Sequence, residues 1–444
     1  MRERIPQPIF GLLERLHTAG FLAYPVGGCV RDLLLGSEPH DWDLATSALP
    51  EETERLFADC RVVETGLRHG TVTVLAGGFS AEITSFRAEE GYSDGRHPDA
   101  VRFGVSLRED LARRDFTIGA MALDIAHDTV IDPFGGQEDL NAGILRAVGE
   151  PERRFAEDAL RILRGLRFSA VLGFTIEPKT AAAMRQCAPQ LCHISPERIR
   201  AELTKMLCGK NIAPVLREYP DILQVVLPEI RPMPGFLQHN PHHDRDVWEH
   251  TIAVVAAIPP EPVLRWAALL HDSAKPQCYT RDENGIGHFH GHQEKSAETA
   301  EVILRRLHCE NRLIAEVTEL IRIHDTRFPA SERMAVRWAG RWGEERFRQF
   351  LELRCADTLA QAQPEGAAEY RAAMLRLLEK AKAEQCCFSV RQLALGGEEL
   401  AQLGLRGREI GEQLEILLEA VQAGMLPNEH TALLAAAKSQ KDEN

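Results

Sequence analysis

Gly27-Gly28-Cys29-Val30-Arg31-Asp32, followed by His40-Asp41-Trp42-Asp43-Leu44-Ala45-Thr46, decides the fold of this 444-residue chain. The apolar run from Phe21 to Val26 predicts a strand. The glycine pair predicts a turn whose amides can approach an anion, and Cys29 to Leu35 a helix whose N-terminus favours negative charge. Asp41 and Asp43 stand two residues apart, so on a strand they share one face and can hold magnesium between a phosphate and an attacking hydroxyl. Glu82, on the alternating stretch Ala81-Glu82-Ile83-Thr84, is a candidate third acidic ligand. An isolated Asp-x-Asp is usually a solvated turn and a lone Gly-Gly a simple loop. Their joint order, strand, glycine turn, helix and acidic strand, points to nucleotidyl transfer.

A chain of this length is too long for one core, and its formal net charge of -14 argues against indiscriminate polyanion binding. Contact with nucleic acid must then come from a local surface. One lies between Arg146 and Arg217, where basic residues outnumber acidic ones by about two to one, with Arg153, Arg154, Arg161, Arg164, Arg167, Arg198, Arg200 and Lys205 prominent. The ten cysteines form no C-x-x-C pair, and adjacent Cys386 and Cys387 do not readily bridge. Reduced thiols in the cytoplasm are expected. Neither a signal peptide nor an apolar run of about 18 residues is present, so secretion and membrane spanning are not expected.

Residues 1–145 alternate strand and helix patterns. Val72 to Leu75, Phe79 to Phe86 and Thr129 to Ile131 read as strands, while Glu51 to Phe57 and Phe116 to Leu123 read as helical. Arg87 to Arg102 has neither periodicity and reads as a long mobile loop beside the site. From Glu150 onward the pattern is helical throughout, broken at Pro178, Pro196, Pro228 and Pro232, with a frayed polar tail from Lys438. The expected domains are 1–145, 146–227, 228–360 and 361–444.

In Glu157-Asp158-Ala159-Leu160-Arg161-Ile162-Leu163-Arg164, helical spacing would align Glu157 or Asp158 with Arg161 and then Arg164. Such an acceptor and donor together complement cytosine and adenine, whose amino group adjoins a ring-nitrogen acceptor, and oppose uracil and guanine. Protein could thus replace a template. On its own the same pair is an ordinary surface ion pair.

With these motifs in place, the chain resembles class II tRNA nucleotidyltransferases, the CCA-adding enzymes, which share their head with bacterial poly(A) polymerases. Leu111-Ala112-Arg113-Arg114-Asp115-Phe116-Thr117 adds to the match. The resemblance implies a polymerase-beta-like mixed α/β head followed by an all-α neck, an HD domain and a tail. It implies catalytic magnesium at Asp41 and Asp43, triphosphate at Gly27, Gly28 and Arg31, the sugar-phosphate region at Arg114 and Asp115, and the incoming base at Asp158 with Arg161, Arg164 being a further expected nucleotide-binding residue. Gly119 stands where the family usually has Asn. The stretch Ser85 to Pro98 resembles the flexible loop that enzymes adding only CC lack, and Arg406 to Gly411 with Asn428 resembles the tRNA-holding tail. Expected partners are tRNA, CTP and ATP, with the neck gripping the acceptor stem by shape.

His250, His271-Asp272, His292, His324 and Asp357 follow the order of an HD phosphohydrolase domain. Imidazole-rich ligation suits a transition metal better than magnesium, and the extra histidines leave room for two ions. His242, His243, His288 and His290 read as ordinary surface or core residues, and Lys275 as a phosphate partner or a helix cap. Three other functions fit parts of the pattern: an A-adding enzyme or poly(A) polymerase, an HD phosphohydrolase acting on RNA ends, and a non-catalytic tRNA-binding protein.

Overall fold

A computed structural model describes residues 1–66, 70–91, 100–241 and 244–442. The chain divides into two compact units, Met1–Pro228 and Glu229–Asn444.

The first unit is built on a five-stranded mixed sheet of β1 (Ala23–Pro25), β2 (Trp42–Thr46), β3 (Arg61–Gly66), β4 (Thr71–Ala76) and β5 (Phe79–Ser85), in the order β1-β2-β5-β4-β3. β2 and β5 run parallel, and their register sets Asp43 opposite Glu82. One sheet face buries Ala45 with Val26, Phe86, Leu111, Ala120 and Ala122; Asp43, two residues before it, shares that face, and Trp42, Leu44 and Thr46 take the other. Between β1 and β2 lies the helix Gly28–Leu34, which buries Cys29, Val30 and Leu33.

Two expectations fail here. Phe116 to Leu123 is not helical: it holds one 3-10 turn, Thr117–Gly119, and then enters a strand (Ala122–Asp124) paired antiparallel with Thr129–Ile131. Backbone pairing of Phe116 with Ala147 and of Ala122 with Val26, plus the Thr117 hydroxyl donating to Asp139 at 2.7 Å, overrides local helical preference. Arg87 to Arg102 is not all loop either. Strands Arg87–Glu90 and Ala100–Phe103 pair antiparallel, with Ala88 packed on the core. The middle of that stretch, residues 92–99, lies outside the described residues, as do His242 and His243.

Beyond Glu150 helices dominate, and the prolines start them rather than merely interrupt: Pro178–Cys187 and Pro196–Leu207 both carry proline at the first turn. The expectation of an all-α remainder is corrected by two small pairings. Thr175–Ile176 pairs parallel with Ile144–Leu145, and Thr280–Arg281 forms a hairpin with Gly287–His288. In the second unit the helices Val247–Ala257, Pro262–Leu270, His292–Arg306, Asn311–Ile323 and Glu344–Leu359 enclose one buried centre. A separate leucine cluster, Leu395, Leu400, Leu417 and Leu433, forms the core of the final segment. Among the described residues no helix is long and apolar enough to cross a membrane, and all ten cysteines are free.

Candidate active site and metal centre

The first unit opens a cleft of about 860 Å³ in which the candidate residues meet: Gly27, Gly28, Arg31, Asp41, Asp43, Glu82, Arg114, Asp115, Asp158, Arg161 and Arg164 all line it. Eight arginines face six carboxylates in this cleft, so a chain of net charge -14 carries a locally positive site suited to a polyanion.

Gly27 makes the turn possible. Its φ of 75° is left-handed, and a Cβ there would lie 2.5 Å from Arg114 Nη1 and 3.7 Å from Asp43 Oδ2. The Gly27 amide itself donates to the Met121 carbonyl at 3.1 Å, so this N–H fastens the turn to the neighbouring segment rather than facing an anion. Arg114 donates to the Gly119 carbonyl at 3.3 Å, which gives the glycine in this motif a backbone role.

Burial raises the Asp43 carboxyl above its ordinary range; Arg114 opposes the rise and Asp41 adds to it. Glu82 is raised likewise, by burial first and then by Asp43 and Asp41. Asp43 and Glu82, whose charged forms burial disfavours, line the cleft with Asp41, and hard oxygen donors in such a setting fit a divalent cation. Magnesium keeps several waters and needs only one or two carboxylates plus phosphate oxygens, so an open acidic face suits it.

Facing these carboxylates are guanidiniums gathered on one ring. Phe168 carries Arg167 at 4.2 Å, Arg31 at 5.4 Å and Arg164 at 5.6 Å from its centroid. Arg164 also bonds Asp115 at 2.6 Å. Burial works against charge on Asp115, but Arg164 outweighs it and holds the carboxyl below its usual value.

Of the two acids expected to align with Arg161, Glu157 does so and Asp158 does not. Pro151–Glu157 ends at Asp158, whose backbone is extended (φ -149°, ψ 105°), and a new helix runs from Leu160 to Leu172. The Asp158 side chain accepts from the Leu160 amide at 3.0 Å, which breaks the helix, and Arg198 donates to its other oxygen at 2.7 Å. Arg161 instead pairs with Glu157 at 2.7 Å and donates to the Arg113 carbonyl at 3.1 Å. Arg113, Arg167, Phe168 and Arg198 also line the cleft: Arg113 lies in the quoted motif and Arg167 and Arg198 in the basic stretch, but the sequence assigns none of them to the nucleotide site, and nothing in it points to Phe168. Arg161, Arg164, Arg167 and Arg198, expected on an RNA-gripping surface, are ion-paired within or beside the cleft.

The second unit brings His250, His271, Asp272, His292, His324 and Asp357 together. Ligand atoms of His250, His271, Asp272 and Asp357 lie within 4.8 Å of one another, as do those of Asp272, His292 and His324, so Asp272 is common to both groups. His271 caps the helix Pro262–Leu270 and Asp272 follows it, which turns both inward. All four imidazoles use Nδ1 toward a backbone carbonyl: His250 to Ala360 (3.4 Å), His271 to Ala268 (2.8 Å), His292 to Phe289 (2.8 Å) and His324 to Ile321 (2.6 Å). Each Nε2 is thereby left to face the centre, with those of His250 and His271 only 3.4 Å apart. Both Asp272 oxygens are buried without a well-aligned hydrogen bond, although Lys275 Nζ lies 2.7 Å away. Buried acceptors aimed at one point fit cations. Burial disfavours charge on His271, yet Asp272 and Asp357 drive it up to about 10, while burial and His271 hold His324 down to about 4. Asn428 ties its loop to the segment at 392–394, accepting from the Ala394 amide and donating to the Gln392 carbonyl, both at 2.8 Å.

Residues 23–146 match the poly A polymerase head domain, and residues 173–233 the probable RNA- and SrmB-binding site of polymerase A. The solved structure of the Bacillus stearothermophilus CCA-adding enzyme in complex with CTP superposes with a TM-score of 0.75, at 30% identity, over 98% of each chain. The chain belongs to the CCA-adding enzyme family. The CCA-adding enzyme of Lactobacillus helveticus is 46% identical over 57% of this chain and 65% of the relative. That of Leuconostoc mesenteroides is 53% identical over 46% and 50%. These matches thus span about half to two thirds of the curated relatives' length.

Proposed function

We propose that this protein completes tRNA 3′ ends by adding CCA from CTP and ATP without a template. The observation that carries the reading is Asp158, fixed by Arg198 and the Leu160 amide in the same cleft that holds Asp41 and Asp43. A carboxylate acceptor held there, with arginine donors beside it, selects an amino-bearing base. The tRNA 3′ hydroxyl would form the new ester bond to the α-phosphorus as the bond to pyrophosphate breaks. Asp41 and Asp43, with Glu82 beside them, would hold magnesium, which when bound supplies charge neutralisation at the attacking and leaving oxygens. Arg31, Arg164 and Arg167, pre-arranged on Phe168, face the triphosphate. In this reading residues 1–145 are the head, 146–227 the neck, 228–360 the HD domain and 361–444 the tail. Ten free thiols suit a cytoplasmic site of action.

Products decide between this and an A-adding enzyme or poly(A) polymerase. Given CTP and ATP, tRNAs lacking one, two or three terminal nucleotides should all reach one full length. Extension only of the tRNA lacking the final A would mean A addition, and no extension would refute nucleotidyl transfer.

The convergence of four imidazole Nε2 atoms on two carboxylates favours a second activity: a metal-dependent HD phosphohydrolase. Its ions would activate water, which adds to phosphorus while the ester P–O bond breaks and the proton goes to the leaving oxygen. Purified protein should retain a transition metal and hydrolyse a 2′,3′-cyclic phosphate; a metal-free, inert second unit would refute this reading.

A further inference from the structure

The cleft of the first unit has one wall that none of the groups assigned to the nucleotide occupies. Thr84 follows Glu82 by two residues on β5 and so shares its face, and Thr71 stands opposite it on β4, with the two Oγ1 atoms 3.0 Å apart. Both residues are half-buried and line the cleft, and among its lining residues they alone carry hydroxyls. Paired threonines are common cross-strand contacts, but such a pair uses only one of its two protons internally. The second O–H and the spare lone pairs have no partner among the described residues. The guanidiniums of the cleft can only donate and its charged carboxylates only accept, and Glu89 is already engaged by Arg87 and Arg113 at 2.9 and 3.1 Å. A ligand group that both donates and accepts is therefore matched by the threonines alone.

The sheet order says which substrate group reaches them. Asp43 on β2 has the glycine turn at the end of β1 on one side and Glu82 of β5 on the other, with β4 beyond. Phosphoryl transfer runs roughly in line, so with the triphosphate seated at the glycine turn the attacking hydroxyl enters opposite the departing pyrophosphate, from the β5 and β4 side. Resting on the nucleotidyl-transfer reading, we infer that Thr71 and Thr84 receive the terminal ribose of the acceptor RNA through its 2′-hydroxyl, which makes the enzyme selective for an RNA primer end. A ribose 2′-hydroxyl both donates and accepts, and it adjoins the 3′ oxygen that attacks.

The test uses the full-length protein, saturating CTP and a tRNA that ends at its first added C, made with either ribose or 2′-deoxyribose at that last residue. Wild type should prefer the ribose end by about tenfold in kcat/KM. Thr84→Val and Thr71→Val should each lower kcat/KM for the ribose end by about tenfold and leave the 2′-deoxy end within about twofold, so that the preference disappears; Thr84→Ser should keep it. KM for CTP and the preference for CTP over dCTP should not change. Equal losses on the two ends, a ribose preference undiminished in both valine variants, or a wild type that extends both ends alike overturns the inference. A collapsed preference for CTP over dCTP would seat the pair against the incoming nucleotide and overturns it as well. No extension of either tRNA by the wild type refutes the nucleotidyl-transfer reading beneath it.

Discussion

Arg198 reaches back 40 residues to hold the carboxylate of Asp158 at 2.7 Å, while the Leu160 amide holds its other oxygen. The carboxylate of Asp158, which the proposed function makes the base reader, is thus held at both oxygens. Arg198→Met should free one oxygen and lower the kcat/KM preference for CTP over UTP by about tenfold, because one charge-assisted hydrogen bond orients the acceptor. Competition assays with the two nucleotides measure this directly. An unchanged preference would show that Arg198 plays no positioning role.

Asp43 stands where burial disfavours its charge. Its folded carboxyl titrates above the ordinary value because of burial, so the proton is bound more tightly in the folded state, and stability falls as pH rises through that range. Asp43→Asn should abolish incorporation and, without metal or nucleotide, raise Tm by about 1 to 3 °C at neutral pH. Calorimetry in the presence of chelator is the check; a lowered Tm would contradict the electrostatic account.

The Arg164 and Asp115 pair carries the opposite sign. Asp115 is held low, so its contribution is present above the unfolded carboxylate pKa and is lost as pH falls through the folded one. Arg164→Met leaves the carboxylate without its main partner, which should cost about 2 kcal/mol at pH 7, below the range for fully buried pairs because the Arg164 side chain is 37% exposed. The deficit should shrink near pH 4, where the orphaned carboxyl takes up a proton. Melting curves at the two pH values test this, and a constant deficit would rule out the charge as its cause.

Asp272→Asn keeps the shape of the shared ligand and removes its charge. Metal retained through gel filtration should fall by at least about half, and cyclic-phosphate hydrolysis should drop to background. Incorporation of CTP and ATP should stay within about twofold of wild type, since the cleft lies wholly in the other unit. Elemental analysis alongside both assays is decisive: full metal content in this variant would contradict the assignment of Asp272 as a common ligand.

What was legible in the sequence was local and periodic. Asp43 and Glu82 could be read because a strand repeats every two residues, and β2 against β5 sets them side by side, while Asp41 stands just before β2. His271 and Asp272 were legible because the apolar run before them ends a buried helix. Asp158 reads as lying within one helix because spacing cannot show that its own side chain accepts from the Leu160 amide and breaks the run there. Arg198 and Phe168 join the site through tertiary contacts that no neighbouring residue signals. The hairpin of Thr280–Arg281 and Gly287–His288 has strands of two residues, too short for any period to show.

In the proposed function protein side chains, not a nucleic-acid template, choose the base. The deciding experiment offers a tRNA lacking its last three nucleotides each labelled nucleoside triphosphate singly. Wild type should add C from CTP and nothing from UTP or GTP, while Asp158→Ala should narrow the gap between CTP and UTP by about ten- to a hundredfold. Discrimination undiminished in Asp158→Ala, or no extension by the wild type with any nucleotide, would contradict it.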